Sequence, residues 1–226
     1  MGQHISLRVL LMGAFLTLAL PTAWSQPYFN VDGGVAIAEK VKLNQFENPT
    51  PGLKIDFDPG FRIGVAGGYN FTPFLGAEIE SGFIYNRVKT VIGAPSGANF
   101  GDSSLSHVPL LANVVLRYDQ PNVPWIPYAG AGAGGDVSII TLDNVSSPSG
   151  SGTVDGSDAT IRFAWQAFGG IRFKINEQMS IGAGYKYYAV NNASWDLQTP
   201  SGKQTDAIQI GHARVHSFLV EFNIKF

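Results

Sequence analysis

The sequence predicts an all-β chain, an eight-stranded antiparallel up-and-down barrel that crosses a membrane with strands. Three observations carry that prediction. Apolar and polar residues alternate with a period of two in eight stretches after residue 25. The connections between those stretches alternate between short and long. No stretch reaches the roughly 20 apolar residues of a spanning helix, yet bulky rings gather on one face of the strands.

Composition narrows the class before any residue is placed. The chain has 226 residues, 14% charged and 12% aromatic, too few charges and too many rings for a disordered polymer. Fifteen Lys and Arg against 17 Asp and Glu leave no basic footprint for nucleic acid. With no cysteine, disulfides, thiol catalysis and thiolate metal sites are excluded.

Residues 1–25 read as a secretory signal peptide. Arg8 supplies the positive start, Val9 to Leu20 form a predominantly apolar stretch of 12 residues, and Pro21 breaks the run. Ala23 and Ser25 put small residues at −3 and −1 for cleavage before Gln26. The barrel domain is then residues 26–226.

The eight strands follow in order. In 28–38, Phe29, Val31, Val35 and Ile37 oppose Asn30, Asp32 and Gly34. In 61–71, Phe61, Ile63, Val65, Tyr69 and Phe71 oppose Arg62, Gly64, Gly68 and Asn70. In 75–86, Leu75, Ile79, Phe83 and Tyr85 oppose Glu78, Glu80 and Asn86, and in 108–118 Leu110 to Tyr118 alternate against Asn113 and Arg117. The face of 126–139 that holds Tyr128 continues through Gly130, Gly132 and Gly134 to Asp136 and Ser138. In 161–174, Ile161, Phe163, Trp165, Ile171 and Phe173 oppose Arg162, Gln166, Arg172 and Lys174. In 180–189, Ile181, Ala183, Tyr185 and Tyr187 oppose Ser180, Gly182, Gly184 and Lys186. The last strand sets Phe218, Val220, Phe222, Ile224 and Phe226 against Ser217, Glu221, Asn223 and Lys225. A helix would scatter these residues around its axis, whereas a strand separates them.

Short links near 72–74, 119–124 and 175–178 alternate with long links near 40–58, 88–106, 141–159 and 190–210, which read as four hydrophilic loops. Short turns on one rim and long loops on the other match the layout of outer-membrane barrels, with both termini periplasmic.

A soluble barrel would put the apolar face inside; a membrane barrel inverts it. Bulk decides for inversion, because the rings would overfill an eight-strand interior while glycine dominates the polar face. Charge agrees. Arg62, Arg117, Arg162, Arg172 and Lys186 share the polar face with Asp32, Glu78, Glu80, Asp136 and Glu221, five against five. Strand counting puts Arg62, Asp136 and Arg162 at similar heights near the loop end and the other seven lower, so an interior salt-bridge network is expected. Two aromatic belts complete the picture. Tyr69, Phe71, Tyr118, Trp125, Phe173 and Phe226 lie near one rim; Phe83, Tyr85, Phe163, Trp165, Tyr187 and Phe218 lie near the other.

The terminal Phe226 with its alternating apolar residues back to Phe218 resembles the assembly signal of bacterial outer-membrane barrels. Val108-Pro-Leu-Leu-Ala-Asn113 and Pro127-Tyr-Ala-Gly-Ala-Gly132 resemble the middle strands of the small outer-membrane β-barrel family that includes opacity-type surface proteins. The resemblance covers 28–226 and implies a Gram-negative outer membrane, with barrel assembly machinery and lipopolysaccharide as partners. Relatives serve as adhesins, envelope-stabilising proteins or uncharacterised barrels, so it does not name a function.

Candidate chemistry is thin. Gly130, Gly132 and Gly135 match a dinucleotide-binding pattern, but no helix follows to receive phosphates, so small residues in a crowded bore explain them better. Ser106-His107 and His216-Ser217 are adjacent, so each pair points to opposite faces of its strand. His212, Arg214 and His216 read first as an exposed strand extension above the membrane, with contact to lipopolysaccharide phosphates, led by Arg214, as the alternative; Asp155 and Asp158 read as ordinary loop residues rather than calcium ligands; Trp195 is a candidate loop contact, although a loop packing on itself would also bury it. No catalytic residue, cofactor or metal is expected. The leading expectation is a non-enzymatic surface protein whose four loops carry any host or surface ligand specificity. A narrow pore and a lipid A-modifying barrel enzyme are the alternatives.

Overall fold

The structure, a computed structural model, describes residues 26–46, 48–93, 102–146, 153–199 and 202–226, with side chains at 45–51, 144–156 and 196–208 left out of that description. Residues 1–25, expected as a signal peptide, and Asp155's side chain therefore lie outside the described residues. Twelve strands follow in order: β1 Gln26–Ala38, β2 Val41–Phe46, β3 Asn48–Phe57, β4 Gly60–Asn70, β5 Leu75–Ile92 and β6 Ser104–Arg117. The second half comprises β7 Trp125–Ser146, β8 Thr153–Lys174, β9 Met179–Val190, β10 Ala193–Thr199, β11 Gly202–Ile210 and β12 Ala213–Lys225.

Eight of them close a ring. Strand β1 pairs with β4, and antiparallel pairing continues through β5, β6, β7, β8 and β9 to β12. Strand β12 then pairs with β1 from Tyr28↔Lys225 to Ala38↔Val215, which completes the circle. Closure is what a sheet in lipid requires, because hydrocarbon offers no partner to a free backbone amide. The ladder is interrupted between β5 and β6, where Pro109 carries no N–H and Ser81 Oγ donates instead to the Pro109 carbonyl at 2.9 Å.

Where they are described, the long links are built mainly as strands. Segments 40–58 and 190–210 form the hairpins β2–β3 and β10–β11, while β5, β7 and β8 run far past the ring. Above the ring β5 pairs with β3, β3 with β2, β2 with β11 and β11 with β10. The wall therefore continues upward as a β crown.

Four joints explain why the strand signal was lost there. Inward positions are even in β1 (Asn30, Asp32, Ala36) but odd in β2 (Val41, Leu43). They are odd in β3 (Ile55, Phe57) and even in β4 (Arg62, Ala66). The same inversion separates Tyr188 and Val190 from Ala193 and Trp195, and Ile210 from Ala213 and Val215. Each joint is a polar or turn-forming pair: Glu39-Lys40, Asp58-Pro59, Asn191-Asn192 or Gly211-His212. Two residues outside the ladder shift the phase by one, and a shift of one exchanges the two faces of everything beyond.

The interior changes character along the axis. In the lower ring it is polar and glycine-rich, with Phe29, Ile63, Ile79, Val114 and Val220 exposed on the outside. In the crown Leu43, Ile55, Phe57, Leu105, Ile140 and Trp195 pack into one apolar core. That core leaves a cavity of only about 30 Å³.

Candidate functional site

The charged side chains converge in the lower bore. Arg62 Nη2 donates to Glu80 Oε1 at 2.6 Å and to Gln166 Oε1 at 3.1 Å. Lys186 Nζ donates to the same Glu80 oxygen at 2.7 Å and to Asp32 Oδ2 at 2.8 Å. Asp32 Oδ1 also lies 4.0 Å from Arg62 Nε, so two cations and two carboxylates alternate around a closed circuit. Glu80 Oε2 accepts from Asn113 Nδ2 at 2.8 Å and from Gln166 Nε2 at 2.7 Å. All these side chains are buried, and ions this deep persist only when each has a partner.

A second group sits toward the short-turn rim. Arg172 Nε donates to Glu221 Oε2 at 3.0 Å, and Tyr128 OH donates to the other oxygen of Glu221. The Arg172 guanidinium lies 4.2 Å from the Tyr128 ring centre. Glu78 accepts from Tyr28 OH at 2.7 Å and from Asn113 Nδ2 at 2.9 Å. Glycine makes room for these rings. A Cβ on Gly184 would sit 2.5 Å from both Tyr128 OH and Glu221 Oε1, and one on Gly130 would run into the Phe168 ring. Gly130, Gly132 and Gly134 thus line a filled bore within strand β7, whereas Gly135, expected with them, falls on the odd-numbered outward phase, where a Cβ would meet nothing.

Where bore meets crown, Asp136 gathers a third group. His107 Nδ1 lies 2.9 Å from Asp136 Oδ2, Ser138 Oγ donates to that same oxygen, and Tyr188 OH donates to Oδ1 at 2.6 Å. Ser138 Oγ is also 3.2 Å from His107 Nδ1.

The expected partners are corrected at three places. Arg62, grouped by height with Asp136 and Arg162, instead closes the circuit with Asp32, Glu80 and Lys186, which were placed lower. Asp136 and Arg162 face each other in register, yet their side chains part. Arg162 Nη2 reaches Ser194 Oγ at 2.8 Å and its carbonyl at 3.3 Å, bridging β8 to β10 where the described residues carry no strand-to-strand ladder. Arg117 Nη2 donates to the Thr72 carbonyl at 2.9 Å, at the rim and away from the central circuit. Tyr28 and Tyr188 join the network from outside the charged set that alternation singles out, although each shares the even-numbered inward phase of its strand.

Trp195, expected as a loop contact, is 1% exposed, and its Nε1 donates to the Ser138 carbonyl at 3.0 Å. It ties the crown to the Asp136 group. Of the outward trio, His212 and Arg214 are exposed, Arg214 Nη1 lies 3.4 Å from Glu39 Oε2, and His216 Nε2 lies 3.0 Å from Glu39 Oε1. The His216 contact, with Arg214 beside it, holds the Glu39 carboxyl below its ordinary range. Tyr185 OH lies 2.7 Å from His216 Nδ1, joining this cluster to the upper aromatic belt. The belts themselves are ring pairs, Trp125 with Phe173 at 4.9 Å near the short turns and Trp165 with Tyr187 at 5.4 Å near the crown. Among the described residues no group of three or more His, Cys, Asp or Glu could hold a metal.

Comparisons with known proteins agree with this architecture. Neisserial surface protein A matches at 18% identity with a TM-score of 0.51, over 88% of this chain and 97% of that one. The outer membrane protein OprG from Pseudomonas aeruginosa matches at 15% identity and TM-score 0.57, over 90% and 97%. The outer membrane protease OmpT from Escherichia coli matches at 7% identity and TM-score 0.56, over 89% and 97%. At such identities the likeness shows the fold alone. No curated protein sequence matches the chain. The model of the outer membrane protein beta-barrel domain family matches residues 8–226, and the chain belongs to that family.

Proposed function

We propose that this protein is a non-enzymatic outer-membrane anchor that holds its crown outside the cell for adhesion-type contacts. The carrying observation is the pairing of a bore filled by the Arg62–Glu80–Lys186–Asp32 circuit with long connections built as paired strands. A bore occupied by bonded side chains offers solutes no path, and a crown whose core is packed offers its outer surface rather than an internal pocket. Partners on that surface would be host or environmental ligands, with lipopolysaccharide around the barrel below.

The Ser and His chemistry supports the non-enzymatic reading. Acyl transfer needs serine and acid on opposite imidazole nitrogens, but Ser138 and Asp136 both approach His107 Nδ1. His216 faces outward while Ser217 is buried inside.

The test shortens the β2–β3 and β10–β11 hairpins separately and measures adhesion and envelope integrity as independent readouts. Loss of adhesion with an intact envelope is expected. Clear single-channel steps from the refolded protein in a planar bilayer, altered by Arg62→Ala or Glu80→Ala, would overturn the plugged reading in favour of a narrow pore.

A further inference from the structure

Three short turns close the rim opposite the crown, and two of them are minimal. Thr72 Oγ1 accepts from the amides of Phe74 and Leu75, and Asn176 Oδ1 accepts from those of Gln178 and Met179. The third, between β6 and β7, is longer, and it carries Pro121 and Pro124. It is bound to the adjacent β8 and also to β12, which neighbours neither β6 nor β7. Asp119 lies 2.8 Å from Lys174 Nζ through one oxygen and contacts Lys225 Nζ through the other. Lys174 Nζ also donates to the Gln120 carbonyl, and Lys174 N donates to the Pro124 carbonyl at 2.8 Å.

Ring order turns these contacts into a crossing. Lys225 ends β12, and β12 is separated from the β6–β7 turn by two strands along one side of the ring and by three along the other. Asp119 therefore meets Lys225 across the opening. All three side chains follow the inward phase of their strands and are 13–19% exposed although they stand at the open end. Around them, at the level of the turns, lies a bowl of about 620 Å³ lined by Arg117, Asp119, Lys174, Lys225 and turn residues such as Pro121 and Asn176.

We propose that the β6–β7 turn is a strap latched across the mouth of the bore, with Asp119 as the bolt between Lys174 and Lys225. The strap shuts the periplasmic end, a second closure independent of the Arg62–Glu80 circuit. Its sidedness rests on the reading that the short turns face the periplasm. Two cations sharing one carboxylate outweigh the cost of its burial and hold Asp119 below the usual carboxylate range, so the latch stays charged at neutral pH.

The chain has no native cysteine, so a single introduced thiol reports the closure. Ser180→Cys places it inward on β9, opposite Lys174 in register and buried behind the latch; Asn122→Cys places it on the exposed turn. Each mature variant is refolded in vesicles and treated with a small charged methanethiosulfonate. The buried thiol of Ser180→Cys is expected to react far more slowly than the turn thiol of Asn122→Cys. Adding Asp119→Ala to Ser180→Cys should speed the buried thiol by about tenfold or more while the heat-modifiable folded band persists, because local opening sets access. Equal rates at the two positions overturn the latch, as does a folded Asp119→Ala barrel whose buried thiol reacts at an unchanged rate. If Asp119→Ala does not fold, Lys225→Gln removes one arm only, and the two rates in the latched chain decide by themselves. Adhesion measurements read the crown and thiol rates read the mouth, so failure of one reading is distinguishable from failure of the other.

Discussion

The lower bore and the crown share one continuous wall, yet they solve opposite solvent problems. In the bore the outside is hydrocarbon, so Ile63, Val114 and Val220 face out and the ionic and amide groups are forced inward. Those groups then have only one another, which is why Glu80 carries four side-chain partners. In the crown the outside is water. The polar residues turn out, the apolar ones turn in, and Leu43, Phe57 and Trp195 meet as they would in a soluble barrel. The comparison teaches that the sign of amphipathicity follows the surroundings, while the strand itself is indifferent.

The largest break in that comparison should come from removing a shared ion. Glu80→Ala leaves Arg62 and Lys186 short of their common carboxylate, and about 3–5 kcal/mol of stability should be lost. Reversible urea unfolding in lipid vesicles measures it; a loss below about 1 kcal/mol would mean the circuit is hydrated and loose. In the crown, Trp195→Ala should cost about 3 kcal/mol, locally. Hydrogen exchange should then quicken in β10 and β11 while the lower ladder stays protected, and equal quickening everywhere would erase the distinction between the two regions.

Overpacking sharpens the picture of the bore at smaller amplitude. Gly184→Ala puts a methyl group 2.5 Å from Tyr128 OH and Glu221 Oε1, with an expected cost of about 1–3 kcal/mol. The neighbouring outward substitution Ala183→Val should be nearly silent, since Ala183 faces lipid. The smallest effect is electrostatic and external. Glu39 sits below the ordinary carboxylate range, so its contribution is present above the unfolded value and is lost as pH falls through the lower folded value. Glu39→Gln should therefore narrow the acid dependence of stability by a few tenths of a kcal/mol, because Glu39 and Arg214 are solvent-exposed.

Much of the lower ring was legible in the residues. Period-two alternation needs only local spacing, and Asp32, Glu80, Arg172, Lys186 and Glu221 all lie inside, on the face that alternation assigns. The crown was not legible, because the phase inverts at Glu39-Lys40, Asp58-Pro59, Asn191-Asn192 and Gly211-His212. Strands of opposite phase joined by polar pairs look like hydrophilic loops when scanned in a single register. Arg162 shows a different failure. Equal height made Asp136 its natural partner, but the open flank of β10 offered Ser194, and Asp136 was already taken by His107 and Tyr188.

By itself, then, the sequence determined which residues form strands in the membrane ring, which of their faces meets lipid, and that carboxylates and cations share the interior. Those are properties of neighbours along the chain. Only the tertiary structure decided that Lys186 joins Asp32 to Glu80, that Tyr28 serves Glu78, that Trp195 is core, and that Asp119 reaches Lys225. Such contacts link residues between about 50 and 150 positions apart, across a bore whose strand stagger is set by closing the whole ring.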